Sequence, residues 1–188
     1  MGRVYETERL ILKTLGNSMD EAELTLDFYK RNKEHLKTWD PLRNEEFYEL
    51  KTRKRTLTLE VNSMRNMNYF RLWIFKKTDA ESEKIIGTIG VCNIIRGVFQ
   101  SCMLGYCIDK DEVNNGYITE AVEKTINILF KEYKLHRTEA NIMPKNKASL
   151  KVVKKLGFKE EGLAKKYLKI NGKWEDHIHM VLLNEAVE

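Results

Sequence analysis

Two short polar turns between Leu104 and Phe158, each at a helix start, carry residue types suited to holding a phosphorylated ligand. The first is Val113-Asn114-Asn115-Gly116-Tyr117-Ile118-Thr119, between an apolar strand-like run and an amphipathic stretch. Gly116 permits a positive φ and close backbone approach. A helix beginning near Tyr117 would add unpaired N–H groups and the positive end of its dipole. That combination suits a diphosphate. With no Walker lysine and no three-glycine dinucleotide pattern, the P-loop and Rossmann readings fail. About thirty residues on, Asn146-Lys147-Ala148-Ser149 opens a second helix. Asn146 is placed to cap it, and Ser149 falls in its first turn, where a hydroxyl could meet a ligand. Lys151, Lys154 and Lys155 follow and add positive potential. Each turn alone is equally at home in an ordinary connection. Together they outline one cleft.

The elements that position these turns follow from periodicity. Ile118, Val122, Ile126, Leu129 and Tyr133 recur at helical spacing, predicting a helix over Tyr117–Tyr133, and Arg137–Ile142 reads as a strand. Upstream, Leu10–Leu12 reads as a strand, Met19–Leu36 as a helix and Glu45–Met67 as a charged, solvated helix. Tyr69–Phe75 and Ile85–Ile95 are rich in β-branched and aromatic residues, so strands are expected. Arg96-Gly97 between Ile94-Ile95 and Val98-Phe99 predicts a hairpin, with Ser101–Ile108 continuing its second arm. Asn171-Gly172 predicts a second, two-residue hairpin between Tyr167–Ile170 and Trp174–Leu183. The order implies a mixed α/β sheet with flanking helices.

The chain has 188 residues, 42% of them apolar, and two prolines, which suits one globular domain over residues 1–188. No run of about 18 apolar residues is present and the N-terminus lacks an apolar signal core, so a cytoplasmic protein without a membrane span is expected. Glu6 stands where a myristoylation site needs Ser or Thr. The three cysteines, Cys92, Cys102 and Cys107, lie in strand-like runs without zinc spacing and read as reduced thiols, Cys107 being the one to watch for reactivity. A net charge of +5 favours a polyanionic partner, either nucleic acid or a small phosphorylated cofactor. Lys51-Thr52-Arg53-Lys54-Arg55 reads as a solvated helix face that could also touch ribosomal RNA. His177 and His179 share one side of a strand, but no carboxylate or thiol stands at ligand spacing, so no metal is expected.

The order strand, Gly116 turn, helix, strand, Asn146-x-x-Ser149 and Leu156-Gly157-Phe158 resembles the GNAT superfamily of acetyl-CoA-dependent N-acetyltransferases. Further segments narrow the resemblance: Glu6-Thr7-Glu8-Arg9-Leu10, Asn32 through Pro41, Arg96-Gly97, Gly105-Tyr106, Glu161-Gly162 and Asn171 through His177. Together they look like the RimJ/RimL type, which acetylates the N-terminal α-amine of ribosomal proteins, and the RimJ side most closely. The resemblance implies a central, mostly antiparallel twisted sheet of about seven strands, splayed in the middle and flanked by about four helices. Pantetheine would lie along Tyr106-Cys107-Ile108, where one N–H polarises the thioester carbonyl. The pyrophosphate would sit on Val113, Asn114, Asn115, Gly116, Tyr117, Ile118 and Thr119, with Asn146 and Ser149 approaching the pantetheine arm and sulfur.

The chain departs from the pattern at four positions. Val113 replaces a Gln or Arg, and Ile118 a small residue. Met103 and Val153 replace the Glu and Tyr that handle protons in many relatives. Ser149 is left as the candidate acid toward the departing thiolate. An α-amine near 7.7–8.0 is already about a tenth neutral at pH 7, so a site without a strong base suits it, with water, Glu120 or Asp176 taking the proton. Trp39 and Tyr167 are the expected walls of the acceptor site, which would take a protein N-terminus or, as the alternative, a small amine. Contact with the ribosome and a monomer or homodimer are the further expectations. A non-enzymatic RNA-binding module is the reading from another class.

Overall fold

The computed structural model describes residues 2–66, 68–79 and 84–187. The chain opens with β1 (Val4–Glu6), β2 (Leu10–Lys13), α1 (Met19–Arg31) and α2 (Lys33–Lys37). A 3₁₀ turn at Glu45–Tyr48 leads into α3 (Leu50–Arg65), then β3 (Phe70–Lys76), β4 (Ile85–Ile95) and β5 (Ser101–Ile108). The second half holds α4 (Tyr117–Lys131), β6 (Arg137–Ile142), α5 (Lys147–Lys155), β7 (Lys159–Ile170) and β8 (Lys173–Leu183). One sheet runs β1-β2-β3-β4-β5-β6-β8-β7, with β5 and β6 parallel and the other described neighbours antiparallel. This is the expected mixed α/β architecture, with eight strands rather than about seven and five α-helices rather than about four among the described residues. The additions are short: β1 has three residues and α2 five, too few to show a period.

Strand alternation builds two cores. On β3, Leu72 and Ile74 join one cluster, while Trp73 and Phe75 join the other. The first cluster packs under α4 and α5 through Val122, Leu129 and Val153; the second packs under α1 and α3 through Phe28, Tyr29 and Leu57. A sheet covered on both faces holds its backbone rigidly.

Several boundaries differ from the sequence expectation for identifiable reasons. The helix expected over Met19–Leu36 breaks at Asn32, which is fully buried. Its amide Nδ2 donates to the Phe28 carbonyl at 2.9 Å and its Oδ1 accepts from Lys110 N–H at 2.9 Å. A side chain that competes for backbone partners interrupts a helix. The helix expected over Glu45–Met67 begins only at Leu50, after extended backbone at Glu49; Met67 lies outside the described residues. α4 ends at Lys131 rather than Tyr133, whose ring stacks on Phe70 at 5.1 Å. Val98 and Phe99 do not form a strand but lie in the turn, 99% and 64% exposed. Asn171 and Gly172 both take positive φ, 43° and 82°, as the expected two-residue hairpin turn requires.

The sheet opens in its middle. β5 and β6 pair only at Ser101 with Arg137, Cys102 with Thr138 and Met103 with Glu139. Beyond these, Leu104–Ile108 and Ala140–Ile142 diverge. The end of β5 is held to β4 and α1: Asp109 N–H donates to the Ile86 carbonyl at 2.7 Å, and Arg31 pairs with the buried Asp109 carboxylate. The end of β6 turns instead through Met143-Pro144 into α5. The opposed edges of β5 and β6 are left without a mutual ladder.

Candidate active site

The opening is floored by two side chains from opposite edges. On β5, Tyr106 points into the α5 side, packed against the first core, and its hydroxyl lies 2.8 Å from Ser149 Oγ. It also donates to the Ser149 carbonyl at 3.1 Å. Burial pushes the Tyr106 phenol up to about 12, so it stays protonated and can keep donating. Ser149 N–H donates in turn to Asn146 Oδ1 at 3.1 Å, making Asn146 the cap of α5. Cap, hydroxyl and phenol thus form one chain of hydrogen bonds across the opening. With Tyr106 donating to the Ser149 carbonyl, the Ser149 hydroxyl can donate toward a group lying between the strands.

Cys107 faces the other way, against the second core. Burial first, and then the Asp40 charge, push its thiol up to about 12, so it is no nucleophile near neutral pH. Burial likewise raises Cys102 to about 11, and all three thiols are free.

The Val113–Thr119 segment leads from β5 into α4. Asn114 and Gly116 both adopt left-handed backbone, φ 64° and 79°, and Gly116 caps α4 without any side-chain hydrogen bond. The first-turn N–H groups therefore face outward from a turn of the kind that cradles oxyanions. Ile118 packs against the first core, which accounts for a large residue where a small one is usual.

Arg9 belongs to this turn, and its sequence position hides the fact. Its Nη1 donates to the Asn115 carbonyl at 3.0 Å, its Nε pairs with Glu120 at 2.7 Å, and its guanidinium lies 4.6 Å from the Tyr117 ring. Thr7 Oγ1 and Arg9 N–H donate to the same Glu120 carboxylate. Burial alone would raise that carboxyl, but these donors and the guanidinium outweigh it and hold it below its usual range. Glu120 is thereby a brace for the turn.

Other expected residues fall elsewhere. A bulge between Ala164 and Leu168 carries Tyr167 over His177 and His179, with ring centroids 5.8 and 4.9 Å away. Asp176 accepts from Lys166 N–H at 2.8 Å within that bulge. His179 Nδ1 is 2.9 Å from Glu139, which also pairs with Arg137; no cluster of three or more metal-ligand residues exists among the described residues. Trp39 is half-buried, immediately before Asp40-Pro41-Leu42-Arg43, which line a cavity of about 210 Å³. Asn171, at the β7–β8 turn, closes that cavity by donating its N–H to the Asp40 carbonyl at 3.0 Å. The basic run at Lys51–Arg55 is not one solvated face: Lys51, Lys54 and Arg55 are exposed, whereas Arg53 is 2% exposed.

A sheet split between parallel neighbours, a serine at the split and a glycine turn at a helix start beside it are the arrangement that the resemblance to an acetyl-CoA-dependent transferase implies. Comparison with known proteins agrees. The acetyltransferase (GNAT) domain family matches residues 9–159. The chain is 33% identical over 174 residues to the [ribosomal protein uS5]-alanine N-acetyltransferase of Escherichia coli, covering 92% of this chain and 86% of that one. It is 35% identical over 164 residues to the "Probable N-acetyltransferase YjcK" of Bacillus subtilis, covering 87% and 89%. The crystal structure of a ribosomal-protein-S5-alanine acetyltransferase from Vibrio fischeri superposes with a TM-score of 0.91 at 34% identity, over 99% of each chain. The chain belongs to the GNAT acetyltransferase family and is an acetyl-CoA-dependent N-acetyltransferase.

Proposed function

We propose that the acceptor is the N-terminal α-amine of a ribosomal protein. The observation that carries this reading is the likeness, at 33% and 34% identity over nearly the whole chain, to two alanine N-acetyltransferases of ribosomal proteins. The cavity supports it: about 210 Å³ is below the ~300–1,000 Å³ of a drug-sized ligand pocket and suits one terminal residue.

Pantetheine adds along the free edge of Tyr106-Cys107-Ile108, and the pyrophosphate rests on Val113 to Thr119 with Arg9 behind it. A β5 N–H polarises the thioester carbonyl, Asn146 orients α5, and Ser149 donates to the departing thiolate. The amine attacks directly from the Asp40–Arg43 side. Its proton passes to water, which suffices because an α-amine titrates near 7.7–8.0. Orientation and carbonyl polarisation supply most of the acceleration.

The test is incubation with acetyl-CoA and matched peptides bearing free or blocked N-termini. Acetylation of the free set alone is expected. Equal acetylation of both sets would point to lysine side chains and remove the α-amine reading.

A further inference from the structure

The face of the sheet opposite α5 carries a second set of polar groups at the split. Leu104 and Tyr106 belong to the first core and Cys107 to the second, so alternation puts Met103 and Gly105 on the second-core face. On β6, Ala140 and Ile142 take the first core, which turns Glu139 and Asn141 to that same face. On β8, Ile178 and Met180 likewise leave His177 and His179 there. The registers join the three strands. Met103 pairs with Glu139 in the last rung of the β5–β6 ladder, so Asn141 is the next residue on this face beyond it, directly beside His179 on β8. Asn141 Nδ2 reaches back to Met103 Sδ at 3.9 Å. On the β5 side the space is open: a Cβ built at Gly105 would meet nothing within 4 Å.

Two hydrogen-bond acceptors border that space. Asn141 Oδ1 is buried and has no partner, which is costly for an amide oxygen. His179 Nδ1 lies 2.9 Å from Glu139 Oε1. An ionised carboxylate only accepts, so Nδ1 of the neutral ring carries the proton and Nε2 keeps the lone pair. Glu139 is itself held by Arg137 at 3.2 Å, and the Tyr167 ring covers the imidazole at 4.9 Å. The His179 side chain remains 25% exposed, so its ring is not sealed off.

We propose that His179, aligned by Glu139, takes the proton from the acceptor amine while Asn141 Oδ1 accepts a second N–H from the same nitrogen. This rests on pantetheine lying along β5. With α5 and Ser149 on the first-core face, the amine reaches the thioester from the second-core face. The Asp40–Arg43 cavity lies on that side too, since both charges act on the Cys107 thiol. As the nitrogen bonds to the acetyl carbon, its proton passes to Nε2. The C–S bond breaks, the electron pair leaves on sulfur, and the Ser149 hydroxyl supplies the thiol proton. The imidazolium hands its proton to water and the serine recovers one from water, so the products are an amide and a thiol.

The test follows acetylation of alaninamide, a primary amine that mimics an N-terminal residue, by the full chain across pH. His179→Gln should lower kcat about a hundredfold, with acetyl-CoA affinity unchanged by calorimetry. The acid limb of log kcat/KM should reach a slope of about two in wild type, from amine and imidazole, and stay at about one in His179→Gln. The groups around the ring are Glu139 and Arg137 on β6, Glu161 and Tyr167 on β7, and His177 on β8. All are kept in that variant, so the lost slope belongs to His179. Imidazole added to His179→Ala should restore part of the rate, which a packing defect would not allow. Asn141→Ala should raise the alaninamide KM about tenfold. If His179→Gln does not fold, Glu139→Gln decides: without the carboxylate, the imidazole part of the limb moves to lower pH. Wild-type rate and slope in His179→Gln, or an unmoved limb in Glu139→Gln, overturn the proton role while acetyl transfer stands. A wild type that binds acetyl-CoA yet acetylates neither alaninamide nor a free-N-terminus peptide removes the amine site itself.

Discussion

At the scale of single residues, the hydrogen bond between Tyr106 and Ser149 is the feature with the most direct chemical consequence. The phenol, at about 12, remains a donor to the Ser149 carbonyl, which leaves the Ser149 hydroxyl able to donate as the proposed mechanism requires. Ser149→Ala should lower kcat on the order of a hundredfold with a smaller change in acetyl-CoA KM, and Tyr106→Phe should lower it less. Unchanged steady-state kcat in Ser149→Ala would remove the hydroxyl from the chemistry. Glu120 makes a pH prediction. Its folded carboxyl is more acidic than an unfolded one near 4.3, so its contribution is present above that value and lost as pH falls through the folded pKa. Thermal melts between about pH 5 and 3 should therefore show a steeper loss for wild type than for Glu120→Gln. The thiols make a third prediction. With Cys102 at about 11 and Cys107 at about 12, iodoacetamide should label native protein slowly at neutral pH and rapidly only after unfolding. Arg53 was misread from sequence for a simple reason: a basic run gives no sign of which member turns toward Tyr29 and Phe47.

At the scale of elements, two helix starts carry the site, and each depends on one local residue. Gly116 at φ 79° is strained for any L side chain, and a Cβ there would also lie 3.4 Å from Arg9 Nη2. Gly116→Ala should cost ~1 kcal/mol of stability and weaken acetyl-CoA binding, measured by denaturant melts and calorimetry. Asn146→Ala should cost a similar ~1 kcal/mol through the lost cap. Both starts were legible because turn and cap chemistry is written in neighbouring residues. The brace behind the first start was not. Arg9 and Glu120 are distant in the chain, and only the pairing of β2 into the sheet next to α4 brings them to 2.7 Å.

At the scale of the whole molecule, the decisive feature is the divergence of β5 from β6 between two packed cores. Saturating coenzyme A should protect amides of Gly105–Ile108 from hydrogen exchange, since the ligand replaces the missing strand. At about a hundredfold excess over Kd it should also add ~2.7 kcal/mol to stability. Exchange unchanged at β5, with binding confirmed, would place pantetheine elsewhere. What the sequence by itself determined was the order of elements, the hairpin at Asn171-Gly172 and the two helix-start motifs, because these rest on periodicity and local backbone preference. Helix breaks such as Asn32 escaped it, since that residue's partner is the distant Lys110 N–H. Only the tertiary structure decided that Tyr106 meets Ser149, that Glu120 braces the Gly116 turn, and that Tyr167 covers two histidines. Those outcomes depend on which side of a strand meets which helix, a long-range relation that no local pattern encodes.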